Sequence, residues 1–200
     1  MASDKTDCRA DLYVVLLHYP VLNKTGDTIA SAVTPLDLHD IARAARTYGV
    51  RRFFVVTPLT DQKELAQSVI DHWITGYGAT YNPSRREALE IIELADTFES
   101  VKERVRAMGH GEPVVVVTSS KERKGGISHQ HLRRTLDKRQ DKGQAKGQPH
   151  LLVFGTAWGL APDIIDSADL CLRPVRGTPD YNHLSVRSAV TAVLDRLLGF

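Results

Sequence analysis

Two glycine-containing segments near the C-terminus have the composition of ligand-binding loops. They are "GTAWGLAP" (155–162) and "RPVRGTPDYNHLS" (173–185), and each directly follows a short apolar run. Gly155 and Gly159 lack a Cβ, so a ligand could approach the main chain closely there. The second segment leads into a predicted helix, whose first N–H groups are free to bind a ligand oxygen. Each segment alone favours an ordinary strand-to-helix turn, whereas the two together favour a pocket.

Several widespread catalytic and binding motifs are missing from the sequence. The first apolar run leads into "HYPVLNKTGD", which is not the glycine-rich turn of a dinucleotide-binding fingerprint. The segment "KERKGG" does not have the residue order of a phosphate-binding P-loop. His129 and His131 have no second ligand pair at zinc spacing, so we expect no metal site. No Ser-His-Asp arrangement is indicated either. The remaining hypothesis is a small-molecule pocket lined by main-chain groups.

Basic side chains are concentrated between residues 121 and 146. This stretch has nine Lys or Arg against three Asp or Glu, although the net charge of the whole chain is only +2. It follows directly after a predicted buried strand, where a phosphate-binding surface would be well placed. The pattern therefore favours a nucleic-acid contact, and a solvated basic helix and loop is the alternative.

Alternating strands and helices are predicted to position these segments. Apolar runs predict strands at 12–19, 51–58, 113–120, 150–155 and 169–172, and a shorter one around Ile91 and Ile92 that could equally extend the preceding helix. Helical spacing and capping residues predict helices at 35–48, 61–75, 83–89, 98–109, 129–138 and 184–199. This alternation predicts an α/β fold with a mainly parallel sheet, in which ligands bind at the carboxyl ends of the strands. Residues 140–148 are the one candidate for a mobile segment.

Length and composition favour a cytoplasmic protein of one domain, residues 1–200, and one domain with a small appendage is the alternative. The chain has 200 residues, of which 42% are hydrophobic and 25% charged, as expected for a globular domain. Cys8 and Cys171 fit no disulfide framework, so we expect reduced thiols. Residues 1–10 lack the apolar core of a signal peptide, and no apolar run is long enough to span a bilayer.

A stretch of the predicted first helix resembles the first motif of the SPOUT superfamily of knotted, S-adenosylmethionine-dependent RNA methyltransferases. In the branch of ribose 2′-O-methyltransferases, this motif has Asn, then Arg six residues later, then Gly after six more. The corresponding positions here are Asp37, Arg43 and Gly49. Arg and Gly match the motif, and Asp replaces Asn.

The two C-terminal segments resemble the second and third motifs of the same superfamily. The second motif is similar to "LLVFGTAWGL", which is one residue shorter here and lacks the usual acidic residue. The third motif is similar to "LRPVRGTPDYNHLSV", where His183 stands at a position at which Asn is common; the matching residues are Pro174, Gly177, Ser185 and Val186. "YNHLSVRSAV" is also similar to the signature of an uncharacterised bacterial branch of SPOUT proteins.

The resemblance implies a fold and a cofactor. It implies helices on both faces of the sheet and a C-terminal segment threaded through a loop to make a deep trefoil knot. S-adenosylmethionine would bind in the knot, held by the main chain of three loops, 118–121, 155–160 and 172–184. Leu160, Leu172 and Leu184 would form the walls around its adenine. The other cofactor-binding residues implied are Thr118, Ser119, Ser120, Phe154, Gly155, Thr156, Gly159, Arg173, Pro174, Gly177, Tyr181 and Asn182.

The resemblance also implies catalytic residues, a substrate and a partner. Arg43 is the first candidate for activating the acceptor or holding a phosphate, and the next are Asp180, His183 and Ser185. Arg43 could instead be a solvated arginine, Asp180 a turn residue and His183 a helix cap. The substrate would be RNA, either tRNA or rRNA, bound by Asp37, Lys121, Arg123, Lys124, Arg133 and Arg134. The protein would be a homodimer in which the partner completes each active site.

Two other functions remain open from the sequence. An α/β module could use the same loops to bind a nucleotide or a protein partner. A knotted homologue could also have lost activity and kept RNA binding, which the shortened second motif and Asp37 leave open. The residues do not specify which RNA or nucleotide is methylated, or whether the methyl group goes to base or ribose.

Overall fold

The computed structural model describes residues 11–140, 148–178 and 180–200. Eight strands lie in this part of the chain: β1 (Leu12–Leu17), β2 (Val21–Leu22), β3 (Thr28–Ile29), β4 (Phe53–Val56), β5 (Ile92–Ala95), β6 (Val114–Thr118), β7 (His150–Gly155) and β8 (Leu170–Leu172). The described α-helices are α1 (Pro35–Thr47), α2 (Thr60–Ile74), α3 (Tyr77–Tyr81), α4 (Pro83–Leu89), α5 (Phe98–Val105), α6 (His129–Gln140), α7 (Pro162–Asp166) and α8 (Val186–Leu198).

Six of the strands form one parallel sheet in the order β5-β4-β1-β7-β6-β8, and β2 and β3 form a separate antiparallel hairpin. Every residue of the central strand β1 is buried, because side chains on both faces of the sheet are covered. This burial is why the central strands consist largely of aliphatic and aromatic residues. The predicted α/β fold with a mainly parallel sheet is confirmed.

Helices cover both faces of the sheet, as expected. Successive residues of a strand point to opposite faces, so Leu16 and Leu17 of β1 belong to different apolar clusters. The cluster around Leu16 includes side chains of α1, α2, α4, α6 and α8. The cluster around Leu17 includes side chains of α5 and α7.

Several sequence predictions needed correction. The residues around Ile92 form strand β5, so the alternative that they extend the preceding helix is wrong. The helix predicted over 98–109 is α-helical only to Val105 and then continues as a π-helical turn, Arg106–His110. The hairpin, α3 and α7 were missed because elements of two to five residues are too short to show a periodicity. Of the segment proposed to be mobile, residues 141–147 lie outside the described part of the chain, as do Cys8 and Pro179. No helix among the described residues is long and apolar enough to cross a bilayer.

Candidate active site at the carboxyl ends of the strands

Three loops leave the sheet at one edge, after the neighbouring strands β6, β7 and β8. We call residues 118–121, 155–160 and 172–184 the first, second and third pocket loops. The Thr118 hydroxyl donates a hydrogen bond to the carbonyl of Val153, 2.9 Å away, which joins the ends of β6 and β7. The Asn182 side-chain amide donates to the carbonyl of Ser120 at 2.8 Å, which joins the first and third loops. The three segments implied by the motif resemblance are thus adjacent in the fold.

The second pocket loop folds back tightly on itself. A Cβ built on Gly155 would lie 2.7 Å from the main-chain nitrogen of Leu160 and 2.9 Å from the carbonyl carbon of Gly159, so no larger residue fits without movement. Gly159 has φ +106°, a conformation that favours glycine. Ala157 also has a positive φ, 50°, in the left-handed region. The fold of this loop therefore favours glycine at both positions, 155 and 159.

The second loop is held by a segment whose role was not predicted, the end of β1 and the residues that follow it. The amides of Thr156 and Trp158 donate to the carbonyls of Leu17 and Leu22, at 3.3 and 3.0 Å. The amide of Leu22 donates in return to the carbonyl of Gly159 at 2.9 Å. A segment that follows a parallel strand is expected at this edge of the sheet, but no local pattern in the sequence indicated its contact with the second loop.

His18, the first residue after β1, is fully buried next to the second loop. Its Nδ1 lies 3.1 Å from the Ser31 hydroxyl, and that hydroxyl lies 2.5 Å from the hydroxyl of Thr156. Burial lowers the pKa of the His18 imidazole, although the charge of Asp37 and main-chain hydrogen bonds oppose this change. His18 is therefore a neutral polar group at the carboxyl edge of the sheet, and the sequence analysis did not select it.

The third pocket loop is mostly exposed and runs beside the basic segment that follows the first loop. The amide and Nε of Arg173 donate to the carbonyls of Ile127 and Gly126, at 2.9 and 3.0 Å. Arg173 and Arg176 form exposed ion pairs with Glu122 at 3.6 and 3.1 Å. A Cβ on Gly177 would meet no atom within 4 Å, so the fold itself does not require glycine there.

The four catalytic candidates occupy different positions. Arg43 is exposed on α1, and Asp180 and His183 are exposed on the third loop, where the rings of Tyr181 and His183 are 5.4 Å apart. The Ser185 hydroxyl accepts a hydrogen bond from the amide of Ser188 at 3.2 Å and so caps α8. The alternative that His183 caps this helix is wrong.

Asp37, a substrate-binding candidate, is buried and has protein partners. Its carboxylate accepts a hydrogen bond from the Thr34 hydroxyl at 2.6 Å and pairs with Nη1 of Arg187 at 2.9 Å. Arg187 also approaches Asp40 at 3.4 Å, so the start of α8 is fixed against α1. Arg43 lies one helical turn beyond Asp40. The replacement of Asn by Asp in the first motif thus coincides with an ion pair between helices.

The remaining substrate-binding candidates divide into exposed and packed side chains. Lys121, Arg123 and Lys124 are exposed after β6, and Arg134 is exposed on α6. Arg133 is half-buried, and its Nη2 donates to the carbonyl of Gly199 at 2.6 Å. Arg133 therefore contributes to packing at the C-terminus, whereas the other four present their charges to solvent.

The residues around the three loops fit an adenosyl cofactor. The second loop packs its main chain where a Cβ would not fit, and those of its main-chain groups that are not bonded to Leu17 or Leu22 are suited to the polar edges of adenine. Leu160 and Leu172 are buried in different apolar clusters, so they anchor the second and third loops to the core. Leu184 is exposed. Within the described residues, no cluster of three or more His, Cys, Asp or Glu side chains could hold a metal ion.

A family model described as SAM-dependent RNA methyltransferase matches residues 11–199, nearly the whole chain. The chain belongs to this family. The match spans the three segments that resemble the motifs, so the expected family of S-adenosylmethionine-dependent RNA methyltransferases is confirmed.

Two relatives show how the family segment occurs in other proteins. A tRNA (guanine-N(1)-)-methyltransferase from Nitratidesulfovibrio vulgaris is 42% identical over 189 residues, which are 94% of this chain and 42% of that protein. The chain therefore spans less than half the length of this relative. An uncharacterized protein from Aquifex aeolicus is 36% identical over 189 residues, and the match covers 94% of this chain and 89% of that protein.

Solved structures similar to this family member show the same fold. The TrmH/SpoU tRNA modifying enzyme from A. aeolicus has a TM-score of 0.54 and 18% identity, over 94% of this chain and 74% of that one. The SpoU methyltransferase AviRb from Streptomyces viridochromogenes, solved with AdoMet, has a TM-score of 0.54 and 17% identity, over 98% of this chain and 60% of that one.

Proposed function

We propose that this chain transfers the methyl group of S-adenosylmethionine to a nucleotide of tRNA. The observation that carries the proposal is that the three motif loops meet at one edge of the parallel sheet in a chain that belongs to this methyltransferase family. When bound, S-adenosylmethionine supplies an electrophilic methyl group on a sulfonium ion. The protein then has to orient the acceptor and accommodate its proton.

The cofactor would bind mainly through the second pocket loop. Its glycines open the main chain, and its hydrogen bonds to Leu17 and Leu22 fix its shape before a ligand binds. The first and third loops would contribute the other walls, joined by the bond from Asn182 to Ser120. The proposed contacts are those implied by the motifs: Thr118, Ser119, Ser120, Phe154, Gly155, Thr156, Gly159, Leu160, Leu172, Arg173, Pro174, Gly177, Tyr181, Asn182 and Leu184.

Arg43 is the proposed catalytic residue. A guanidinium can hold a phosphate or stabilise negative charge on an acceptor that loses its proton. Arg43 is exposed, and its helix is fixed to α8 by the ion pairs of Arg187. Asp180 and His183 are exposed on the third loop and are the candidates for accepting the proton. Ser185 would act through the orientation of α8, since its hydroxyl caps that helix.

The proposal of tRNA as the substrate is supported by the name of the N. vulgaris relative. Because this chain matches only 42% of that protein, the guanine N1 specificity in its name could reside in the remainder. The A. aeolicus relative consists almost entirely of the matching segment, so the segment also exists without that remainder. We therefore extend the tRNA substrate to this chain. The candidate acceptor atoms are a ribose 2′-oxygen and guanine N1.

A knotted C-terminus and a homodimer complete the proposal. Hydrogen bonds from Arg173 to residues 126 and 127, and from Asn182 to Ser120, support a knot, since they put the third loop against the chain that follows β6. Exposed apolar side chains near the site support a second copy of the chain as a partner; they are Leu36, Trp158 and Leu184. Sedimentation of the purified protein tests the dimer.

Calorimetry and methyl transfer test the function in two stages. Purified protein is titrated with S-adenosylmethionine and S-adenosylhomocysteine, and binding of both is expected. It is then incubated with radiolabelled cofactor and either tRNA or rRNA from a strain that lacks the gene. Transfer to tRNA is expected, and mass spectrometry of nucleosides distinguishes N1-methylguanosine from a 2′-O-methyl product. No binding of either cofactor at millimolar concentration would contradict the proposal, and binding without transfer would favour the inactive homologue.

A further inference from the structure

A chain of hydrogen bonds connects a buried histidine to the second pocket loop. Nδ1 of His18 lies 3.1 Å from the Ser31 hydroxyl, which lies 2.5 Å from the Thr156 hydroxyl, which donates to the carbonyl of Leu17 at 3.1 Å. These residues come from the end of β1, the segment after the hairpin and the second pocket loop. Side chains from three separate parts of the sequence thus meet at the carboxyl edge of the sheet.

The direction of these bonds follows from the number of protons available. The Thr156 hydroxyl donates to the carbonyl of Leu17 at 3.1 Å, whereas the contact of the Ser31 hydroxyl with the carbonyl of His18 is longer, 3.5 Å, so donation from Ser31 to Thr156 is the favoured direction. Ser31 then accepts from His18, which assigns the proton of the neutral imidazole to Nδ1. The depressed pKa of His18, caused mainly by burial, agrees with a neutral ring. Nε2 is buried and meets no partner at hydrogen-bond geometry among the described residues, although the main chain of Ser31 and Ala32 lies near the ring.

The main chain repeats the connection made by the side chains. The amide of Ser31 donates to the carbonyl of His18 at 2.8 Å, and the amide of Thr156 donates to the carbonyl of Leu17 at 3.3 Å. Thr156 therefore bonds to the end of β1 through both its amide and its hydroxyl. This contact fixes the start of the second loop, next to the tightly packed Gly155, whereas the bonds to Leu22 fix its later residues.

We propose that His18 is a positioning residue for the cofactor, acting through Ser31 and Thr156 on the main chain of the second pocket loop. The inference rests on the proposed function, because the second loop is the proposed binding site of S-adenosylmethionine. A donor at the Nδ1 position orients the Ser31 hydroxyl, and Ser31 orients Thr156. Without that donor, the Ser31 and Thr156 hydroxyls can exchange roles, and the loop samples positions that do not bind.

Paired variants at two ends of the chain of bonds test the inference. His18→Leu removes the donor, whereas His18→Asn keeps an N–H near the Nδ1 position. Thr156→Val removes the hydroxyl at constant shape, whereas Thr156→Ser keeps it. Affinity for S-adenosylmethionine is measured by calorimetry well below each unfolding temperature. We expect His18→Leu and Thr156→Val to weaken binding about tenfold, and His18→Asn and Thr156→Ser to bind within about threefold of the original protein.

Two further variants separate positioning from a loss of stability. Thr80→Val is a matched control, since the Thr80 hydroxyl bonds only to the carbonyl of Tyr77 within α3 among its described contacts, and cofactor affinity should not change. Ser31→Ala removes the hydroxyl in the middle of the series of hydrogen bonds, with a smaller change in side-chain volume than His18→Leu. Combined with Thr156→Val, it should weaken binding less than the sum of the two single effects.

The outcomes distinguish this inference from the proposed function. If the original protein binds S-adenosylmethionine and all the variants bind within about twofold of it, the positioning role is wrong and the proposed function stands. If His18→Asn and Thr156→Ser bind as weakly as His18→Leu and Thr156→Val, the effect is one of packing and the inference is also wrong. If the original protein does not bind the cofactor, the proposed function fails and the inference fails with it.

Discussion

The second and third pocket loops follow parallel strands at the same edge of the sheet, but the protein holds them differently. The second loop is bonded through its main chain to Leu17 and Leu22, and its Leu160 is buried. The third loop is largely exposed, with Tyr181 at 69% and Leu184 at 50% of their full accessibility. The proposed site therefore has one wall shaped by the fold and one wall that presents side chains to solvent. We assign the cofactor mainly to the first wall and the RNA mainly to the second.

The largest expected effect is at Gly155, in the fixed wall. Gly155→Ala places a Cβ 2.7 Å from the nitrogen of Leu160, so the loop must shift. We expect affinity for S-adenosylmethionine to fall about a hundredfold, and the free energy of unfolding to fall by about 1–3 kcal/mol, as in other overpacked sites. Calorimetry and chemical unfolding measure the two effects.

Gly177→Ala is the matched change in the exposed wall. A Cβ there meets no atom within 4 Å, so the free energy of unfolding should change by less than about 0.5 kcal/mol. Equal losses of stability in the two variants would show that the loops are not held differently, and the comparison would fail.

The second prediction concerns Arg43, which faces solvent on α1. Arg43→Ala should lower the rate of methyl transfer about a hundredfold and leave the affinity for S-adenosylmethionine unchanged, because the residue is proposed to act on the RNA. Single-turnover transfer to tRNA and calorimetry measure the two quantities. Arg46→Ala, three residues further along the same helix, removes an exposed ion pair with Glu87 and should leave transfer almost unchanged. Full activity of the Arg43 variant would place catalysis elsewhere.

The sequence predicted the strands and the pocket loops, but it did not predict the contacts between distant segments. The glycine motifs and the aliphatic strands predicted the sheet, and the loops that follow β6, β7 and β8 were identified as pocket segments. Their sequence spacing reflects main-chain requirements, such as the tight packing at Gly155, and these requirements are local. Strands and loop glycines can therefore be predicted from the sequence without knowledge of tertiary contacts.

The residues that were missed depend on contacts between distant parts of the chain. Ser31 and Thr156 are 125 residues apart, and Arg187 and Asp37 are 150 residues apart. A single His after a strand, or an Arg in the first turn of a helix, has no distinctive local pattern. Asp37 was selected for its spacing to Arg43, but spacing alone did not reveal that its carboxylate is buried against Arg187.

The third prediction tests whether the exposed wall extends into the basic segment. Replacing Lys121, Arg123 and Lys124 together by Gln should weaken tRNA binding about tenfold at moderate salt and reduce the salt dependence of log K by about 2–3. These side chains are exposed, so stability and cofactor affinity should not change. Filter binding at several salt concentrations gives the slope.

A charge-matched control for this prediction is available on α5 and the turn that follows it. The same replacement of Lys102, Arg104 and Arg106, on α5 and the following turn, removes three positive charges from exposed ion pairs. An equal loss of RNA affinity in both triple variants would indicate general attraction to the protein's charge instead of a local surface.

The smallest expected effect is a pH dependence of stability from His18, at the base of the fixed wall. Burial lowers the pKa of His18 in the folded protein below the ordinary value of 6.5. The unfolded chain therefore binds a proton first as the pH falls below 6.5, and His18 then reduces the free energy of unfolding by up to about 1.4 kcal/mol per pH unit. The loss ends once the pH is below the folded pKa. His39 and His129 also have pKa values lowered by burial, so the original protein keeps some pH dependence from them.

His18→Asn isolates the contribution of His18. The difference in unfolding free energy between the original protein and this variant should decrease as the pH falls from 7.5 to 5, since the variant lacks the proton uptake at this position. Thr156→Val perturbs the same hydrogen bonds without removing a titrating group, so its difference from the original protein should stay constant over that range. Urea unfolding at four pH values measures both differences. A His18→Asn difference that is flat with pH would mean that the imidazole can be protonated in the folded state as easily as in the unfolded chain. The histidine would then be more accessible to water than its burial indicates, and the wall holding the second loop would be less fixed than the one we describe.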